Sequence, residues 1–326
     1  MGKLSRKEFI VAASSFAALA FIAPKIFFKF LNKDKILPED LALGAGNFKS
    51  IYLDDRKRAE FKLFLQNVFH LYPEDEFHDT IYELTKKLPN DREIYLALMN
   101  RIESLKPMLG DLTYSLPALK KQKQEMARQT GHLLDGYRAH NRYLEIGTTG
   151  RHVDDVCRLA NFSGPVHLIN DIAPDFSVPD ILERGGLKKR GEFSSLDNYS
   201  PISTSVLEDN SVDLATVFIG FHHSPTERLL PFLDSIYRTM IPGSVLIVRD
   251  HDASDEYRNV LVALAHDVFN AGLHYSWTDT VKQVRNFKSL AELRSILLSR
   301  GFESRGNEIY QDGDPTKNAL MKFIRV

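Results

Sequence analysis

Residues 143–151 read YLEIGTTGR, and the surroundings of this stretch decide the fold. Tyr143–Ile146 is a short run of the kind that is buried in a parallel sheet. It ends in Gly147-Thr148-Thr149-Gly150-Arg151, whose glycines let the backbone turn tightly and approach another group closely. Working outward, PVHLIN (165–170), VDLATVF (212–218) and SVLIVRD (244–250) are three further candidate strands. Helical stretches at 151–161, 226–240 and 254–271 separate them. This alternation predicts an α/β fold, a doubly wound, mostly parallel sheet covered by helices on both faces. The chain closes in a different way. FKSLAELRSILLSRGF (287–302) is a helix stopped by Gly301, followed by a strand near 303–310, a turn at Asp312-Gly313-Asp314-Pro315 and a last strand, ALMKFIRV (319–326). Those strands predict a C-terminal antiparallel hairpin.

Upstream of residue 142 no strand signal occurs. Residues 36–55 contain Pro38, Gly44 and Gly46 without a period and read as a linker. Phe61, Phe64, Leu65, Val68 and Phe69 fall at helical spacing, and Phe77, Ile81, Leu84 and Leu88 repeat it after Pro73. Asp91 is the expected N-cap of a third helix carrying Ile94, Leu98, Met99, Ile102 and Leu105, and a fourth, basic helix spans 116–134. Residues 36–135 therefore form a linker and helical cap region. It serves to cover a core or to form a dimer face in preference to a separate activity.

The first 35 residues have a targeting pattern. A basic head, MGKLSRKE, precedes an uncharged run from Phe9 to Pro24, and Lys25, Lys29, Lys33 and Lys35 follow. SRKEFI resembles a twin-arginine export signal in which Lys7 stands for the second arginine. The expectation is a signal or anchor segment over 1–35, with membrane association through the N-terminus and the catalytic domain in the cytoplasm. Export is the alternative. The 326-residue chain as a whole is of ordinary globular composition, 26% charged with a formal charge of −1, so nucleic acid is not favoured as a partner. Cys157 is the single cysteine, which excludes an intramolecular disulfide and a thiolate-rich zinc cluster.

Ligands of open parallel sheets bind outside the C-terminal strand ends. After the first strand stand Gly147, Thr148 and Gly150, with Glu145 as a fixed acceptor just before them. Asp171 follows the second, 24 residues beyond Gly147, where a carboxylate can accept from both hydroxyls of a ribose. His222 and His223 follow the next strand, and Asp250, His251 and Asp252 the last. These five offer an acid–base pair or a metal site. Equally they can serve structure, Asp250 accepting from loop backbone and His251 and Asp252 capping the following helix.

The ordered set of strand ends resembles the class I (Rossmann-like) S-adenosylmethionine (SAM)-dependent methyltransferases, type 11-like, over residues 130–326. YLEIGTTGR is similar to their first motif, the acidic-x-Gly-x-x-Gly loop, and INDIAP (169–174) to their second. LEDNSVDLATVFIGFHH (207–223) resembles the fourth-strand motif, often ended by a His pair, and MIPGSVLIVRDHD (240–252) the Pro-Gly turn and fifth strand. The resemblance implies a seven-stranded Rossmann-like methyltransferase domain over 136–326, SAM as cofactor, and a small-molecule methyl acceptor. It places Glu145, Gly147, Thr148 and Gly150 around the methionine part of SAM, Asp171 and Ile172 at the ribose, and Asp197 at the adenine. His222, His223 and Asp250 are then the catalytic candidates, with no metal required. The sequence departs from the family at Thr148 and Thr149, which stand where a central glycine is common, and at Asp197, which lies 16 residues before Asp213, further than usual. Two rivals are a nicotinamide-dependent oxidoreductase, for which Gly-x-Gly-x-x-Gly is missing, and a non-enzymatic exported binding protein.

Overall fold

The structure is a computed structural model and describes residues 46–105, 114 and 116–326. The N-terminal run read as signal or anchor lies outside the described residues. Among the described residues no helix is long and apolar enough to cross a membrane.

In chain order the helices before the first strand are α1 (Asn47–Tyr52), α2 (Asp55–Phe64), α3 (Glu74–Lys87), α4 (Asp91–Leu105) and α5 (Leu116–Leu133). Then come β1 (Tyr143–Ile146), α6 (Val153–Leu159), β2 (Val166–Asn170), α7 (Val178–Arg184), β3 (Glu192–Ser195) and β4 (Val212–Val217). The rest are α8 (Thr226–Thr239), β5 (Met240–His251), α9 (Glu256–Gly272), α10 (Trp277–Lys282), α11 (Leu290–Ser299), β6 (Phe302–Tyr310) and β7 (Asn318–Arg325). The chain divides into two compact units. One gathers the described residues up to Lys121 with Asp255–Gln283 and Asp312–Thr316. The other holds Gln122–Ser254, Val284–Gln311 and Lys317–Val326.

The first unit is helical. Its core joins Phe48, Ile51, Phe64, Phe69, Phe77, Ile81 and Leu98 to Leu261, Leu264, Val268 and Phe269 of α9. Phe69 stacks on Phe77 with ring centroids 5.2 Å apart and meets Phe269 edge-on at 5.8 Å. Two expectations change here. Residues 47–52, read as linker, form α1 because Phe48, Ile51 and Tyr52 fall on one helical face and are fully buried. The cap of α4 is Asn90, whose Oδ1 accepts from Glu93 N at 3.0 Å, one residue before the expected Asp91.

The second unit is a seven-stranded Rossmann-like sheet in the order β3-β2-β1-β4-β5-β7-β6. β1 to β5 pair in parallel, and β7 runs antiparallel between β5 and β6. Alternate residues sort to two faces. Leu144, Ile146, Ala215, Val217, Leu246 and Val248 pack against Leu229, Phe232, Leu233 and Ile236 of α8 and Leu290, Leu293 and Leu297 of α11. Tyr143, Leu214, Val245 and Ile247 pack against Met126 and Leu133 of α5 and Val153 and Val156 of α6. Burying each such side chain is worth about 1.5–3 kcal/mol, so a one-residue slip in register, which exchanges the faces, is strongly disfavoured. Asp213 fixes where β1 begins, its carboxylate accepting from the backbone N–H groups of His140, Asn141 (2.9 Å) and Arg142 (3.1 Å). The short edge strand β3 and helix α7 were not predicted, since neither has a clear hydrophobic period.

Candidate functional site

The strand order reverses at β1, which lies between β2 and β4. Such a switch point, at the C-terminal strand ends, is where open α/β sheets bind ligands. The loop after β1 is held from below by Glu145. This residue is fully buried, and its carboxylate accepts from Tyr143 Oη (2.7 Å), Thr148 Oγ1 and the His152 backbone N (3.4 Å). Burial raises its pKa against the pull of these donors. Thr148 Oγ1 in turn accepts from the Gly150 and Arg151 backbone N–H groups, each at 3.0 Å. Thr148 thus organises the loop through its hydroxyl. Gly147 (φ +96°) permits a close approach within the protein, because a Cβ there would lie 2.3 Å from Ile219 Cβ. Gly150 answers to its φ of +98° alone, a Cβ there meeting only ordinary contacts.

At the ends of β2 and β3 the chemistry is of one kind. Asp171, partly buried, and Asp197, exposed, both have carboxylates that receive no hydrogen bond from the described residues. Next to each, Asn170 Oδ1 and Asn198 Oδ1 are buried without a partner among the described residues. Asn170 Nδ2 donates to the Ile172 carbonyl at 3.2 Å, which identifies its oxygen as the orphan and gives Ile172 a backbone role. Burial and then the charge of Asp197 push the Asp171 carboxyl up to about 6. Asp197, Asn198 and Tyr199 take consecutive positive φ values of 44°, 54° and 59°. This costly conformation is held by Tyr199, which is buried against Phe232 and donates to the Gly220 carbonyl at 3.2 Å. The four acceptors, Asn170, Asp171, Asp197 and Asn198, match a ligand rich in N–H and O–H donors. A ribose diol, an amino group of adenine and an ammonium are such donors, so the residues present fit the cofactor that the resemblance implies. Asn170 and Asn198 escaped the sequence reading; only their adjacency to the two acids could have marked them.

The third cluster joins the ends of β4 and β5. Phe221–His223 form a single tight turn, entered through Gly220 at φ +84°. His222 is buried and its Nδ1 lies 2.6 Å from Asp250 Oδ1. Asp250 also accepts from the Phe221 and His251 backbone N–H groups, both at 2.8 Å. Burial raises the Asp250 pKa, but His222 and His251 outweigh it and bring the carboxyl down to about 2. An ionised Asp250 holds the Nδ1 proton of His222, so Nε2 is the basic atom of the ring. His223 lies beside it with ring centroids 4.1 Å apart and the planes tilted by 47°, and desolvation followed by the charge of His222 pushes its pKa well below the usual histidine value. The structure therefore pairs His222, and not His223, with Asp250. Asp252 serves structure, accepting from Leu290 N at the start of α11 and from Tyr310 Oη, each at 3.0 Å.

No family model matches this chain, and no curated protein does. Solved structures do resemble it. A 1,6-didemethyltoxoflavin-N1-methyltransferase from Burkholderia thailandensis, with S-adenosylhomocysteine bound, is 12% identical over 73% of this chain and 92% of its own, with a TM-score of 0.43. A SAM-dependent methyltransferase from Aquifex aeolicus is 16% identical over 70% and 98%, with a TM-score of 0.40. The N-methyltransferase NodS from Bradyrhizobium japonicum, in complex with S-adenosyl-l-homocysteine, is 15% identical over 62% and 86%, with a TM-score of 0.39. At these values the likeness carries no argument about activity, and the architecture stands on its own strand order.

Proposed function

We propose that this chain is a SAM-dependent methyltransferase acting on a small-molecule acceptor. One observation carries the reading: the acceptors Asn170, Asp171, Asp197 and Asn198, whose side-chain oxygens receive no hydrogen bond from the described residues, stand at the ends of β2 and β3, beside the switch point of the sheet. When bound, SAM supplies a methyl group on an already electrophilic carbon. Asp171 and Ile172 would face the ribose and Asp197 the adenine. The loop at Gly147, Thr148 and Gly150, stiffened by Glu145, would border the methionine part. Methyl transfer rests mainly on positioning, and a base is needed only for an acceptor that must lose a proton. His222 Nε2 would take that proton, with Asp250 fixing the ring and stabilising its charge, while His223 stays neutral beside it. A formal charge of −1 suits a small acceptor better than nucleic acid. The N-terminal run, as an anchor or an export signal, completes the reading.

Isothermal titration with SAM, S-adenosylhomocysteine and NADH tests it. The two adenosyl ligands should bind at micromolar or tighter Kd and NADH should not, which also separates this reading from the oxidoreductase. Asp171→Ala should weaken binding by roughly ten- to a hundredfold, about 1.5–3 kcal/mol for a charge-assisted contact, with the fold intact. A folded Asp171→Ala protein that binds as the parent does removes the ribose assignment.

A further inference from the structure

Helix α7 and the chain around it are built with polarity reversed. The acids of α7 turn inward: Asp180 is buried and accepts from the Thr149 hydroxyl, the Arg184 guanidinium and, at 2.5 Å, the Asp175 backbone N. Glu183 is buried on the Arg151 guanidinium. Several apolar side chains on and beside α7 are exposed, while Val178 and Ile181 within it are half-buried. Leu187 is 69% and Phe176 65% exposed, the two most exposed large hydrophobics among the described residues, and Leu182 and Phe193 are also exposed. A soluble surface helix does the opposite.

Cations accompany these apolar groups. Lys188 and Lys189 are exposed, Arg190 is partly so, and Lys189 Nζ lies 4.4 Å from the centroid of the Phe176 ring. Lys189 and Phe176 therefore share one surface, and Leu187 and Lys188 directly precede Lys189 in the chain. No carboxylate among the described residues lies within ion-pair distance of Lys188 or Lys189, whereas Arg190 meets Asp154 at 2.5 Å. Against burial, and after the Ser177 hydrogen bonds, the Lys189 charge helps to lower the Asp175 carboxyl. Of the nearby exposed acids, Asp175 is taken up by Ser177 N (2.8 Å) and Oγ (2.6 Å), and Glu192 sits 3.7 Å from Arg142.

Phenylalanine and leucine flanked by flexible lysines suit the boundary between headgroups and acyl chains, where the rings enter the apolar layer and the ammonium groups stay at the phosphates. We propose that Phe176, Leu182, Leu187, Lys188 and Lys189 form a docking surface for an anionic lipid bilayer. The surface is distinct from the N-terminal run and independent of the methyltransferase reading. It begins five residues after Asp171, so docking would bring the ligand-binding end of the sheet close to the membrane.

The test is a Phe176→Trp variant of the full chain, with the parent, whose single tryptophan is Trp277, as baseline. Tryptophan at 176 should shift its emission to the blue and be quenched by brominated acyl chains on phosphatidylserine-containing vesicles, and neither on pure phosphatidylcholine. Adding Lys188→Gln and Lys189→Gln, both at exposed positions, should keep the melting temperature and weaken the response roughly 25-fold, about fivefold per lost cation. An unchanged emission at 176 while the chain sediments with vesicles would overturn the proposal, leaving the N-terminus as the sole anchor. So would an equal response on both vesicle types, or a blue shift that grows with protein concentration without lipid, which would assign the face to a second copy of this chain.

Discussion

Asp197→Asn should move the pH at which the nucleoside end of the site loses its ligand, and the direction can be worked from the structure. Asp171 is raised from 3.8 to about 6, first by burial and then by the charge of Asp197. That rise amounts to about 3 kcal/mol in favour of the protonated form, at 1.36 kcal/mol per pKa unit. The sign follows from linkage. The unfolded chain ionises Asp171 above pH 3.8 while the folded protein keeps its proton up to about 6, so the group costs stability as pH rises from about 4 to 6 and costs it fully above that. A ligand diol needs the ionised carboxylate. Affinity should be level above pH 6 and fall about tenfold by pH 5 in the parent. In Asp197→Asn the neighbouring charge is gone but burial remains, so the break should lie between 3.8 and 6 and the loss at pH 5 should shrink. Titration calorimetry of S-adenosylhomocysteine from pH 4 to 8 reads both curves. Asp197 is itself a proposed adenine contact, so overall affinity drops as well, and the position of the break is the diagnostic quantity. A variant whose break stays at about 6 would show that the Asp197 charge does not set it, and a parent with no break would show that Asp171 does not govern binding.

Three further outcomes follow from the loops. Gly147→Ala forces a Cβ onto Ile219 at a φ of +96° and should cost roughly 2–4 kcal/mol, read as a lower melting temperature, unlike Gly150→Ala, which carries only the backbone strain. His222→Ala should lower turnover by about 10² to 10⁴ on a proton-bearing acceptor with cofactor affinity nearly unchanged, and His223→Ala by much less. Asp250, depressed to about 2, contributes stability above its unfolded value near 4 that is lost as pH falls toward 2, so denaturation curves of Asp250→Asn should lack that acid limb.

The sheet was readable where burial is two-sided. β1, β2, β4 and β5 are predominantly apolar and buried runs because both faces are covered, and the hairpin is marked by Gly301 and the turn at 312–315. β3 was hidden because it is an edge strand of four mostly exposed residues, and α7 because its polarity is reversed. Strand ends located Asp171, His222 and Asp250, since topology alone puts them at one edge of the sheet. Their partners were not readable. Which histidine meets Asp250 depends on one tight turn after Gly220, and the orphan oxygens of Asn170 and Asn198 depend on what is missing around them.

The helical unit has a consequence for how this chain can be made. Its core is stitched from separate stretches of sequence, with Leu261, Leu264, Val268 and Phe269 of α9 completing a cluster begun at Phe48. A ribosome releases the N-terminal helices long before α9, so their aromatic faces must wait through the synthesis of five sheet strands for their closing partner. Folding in simple N-to-C order is therefore ruled out for this unit. The same interleaving means that no single cut of the chain can separate the two units with both cores whole, and a fragment ending near residue 254 would leave those aromatics bare.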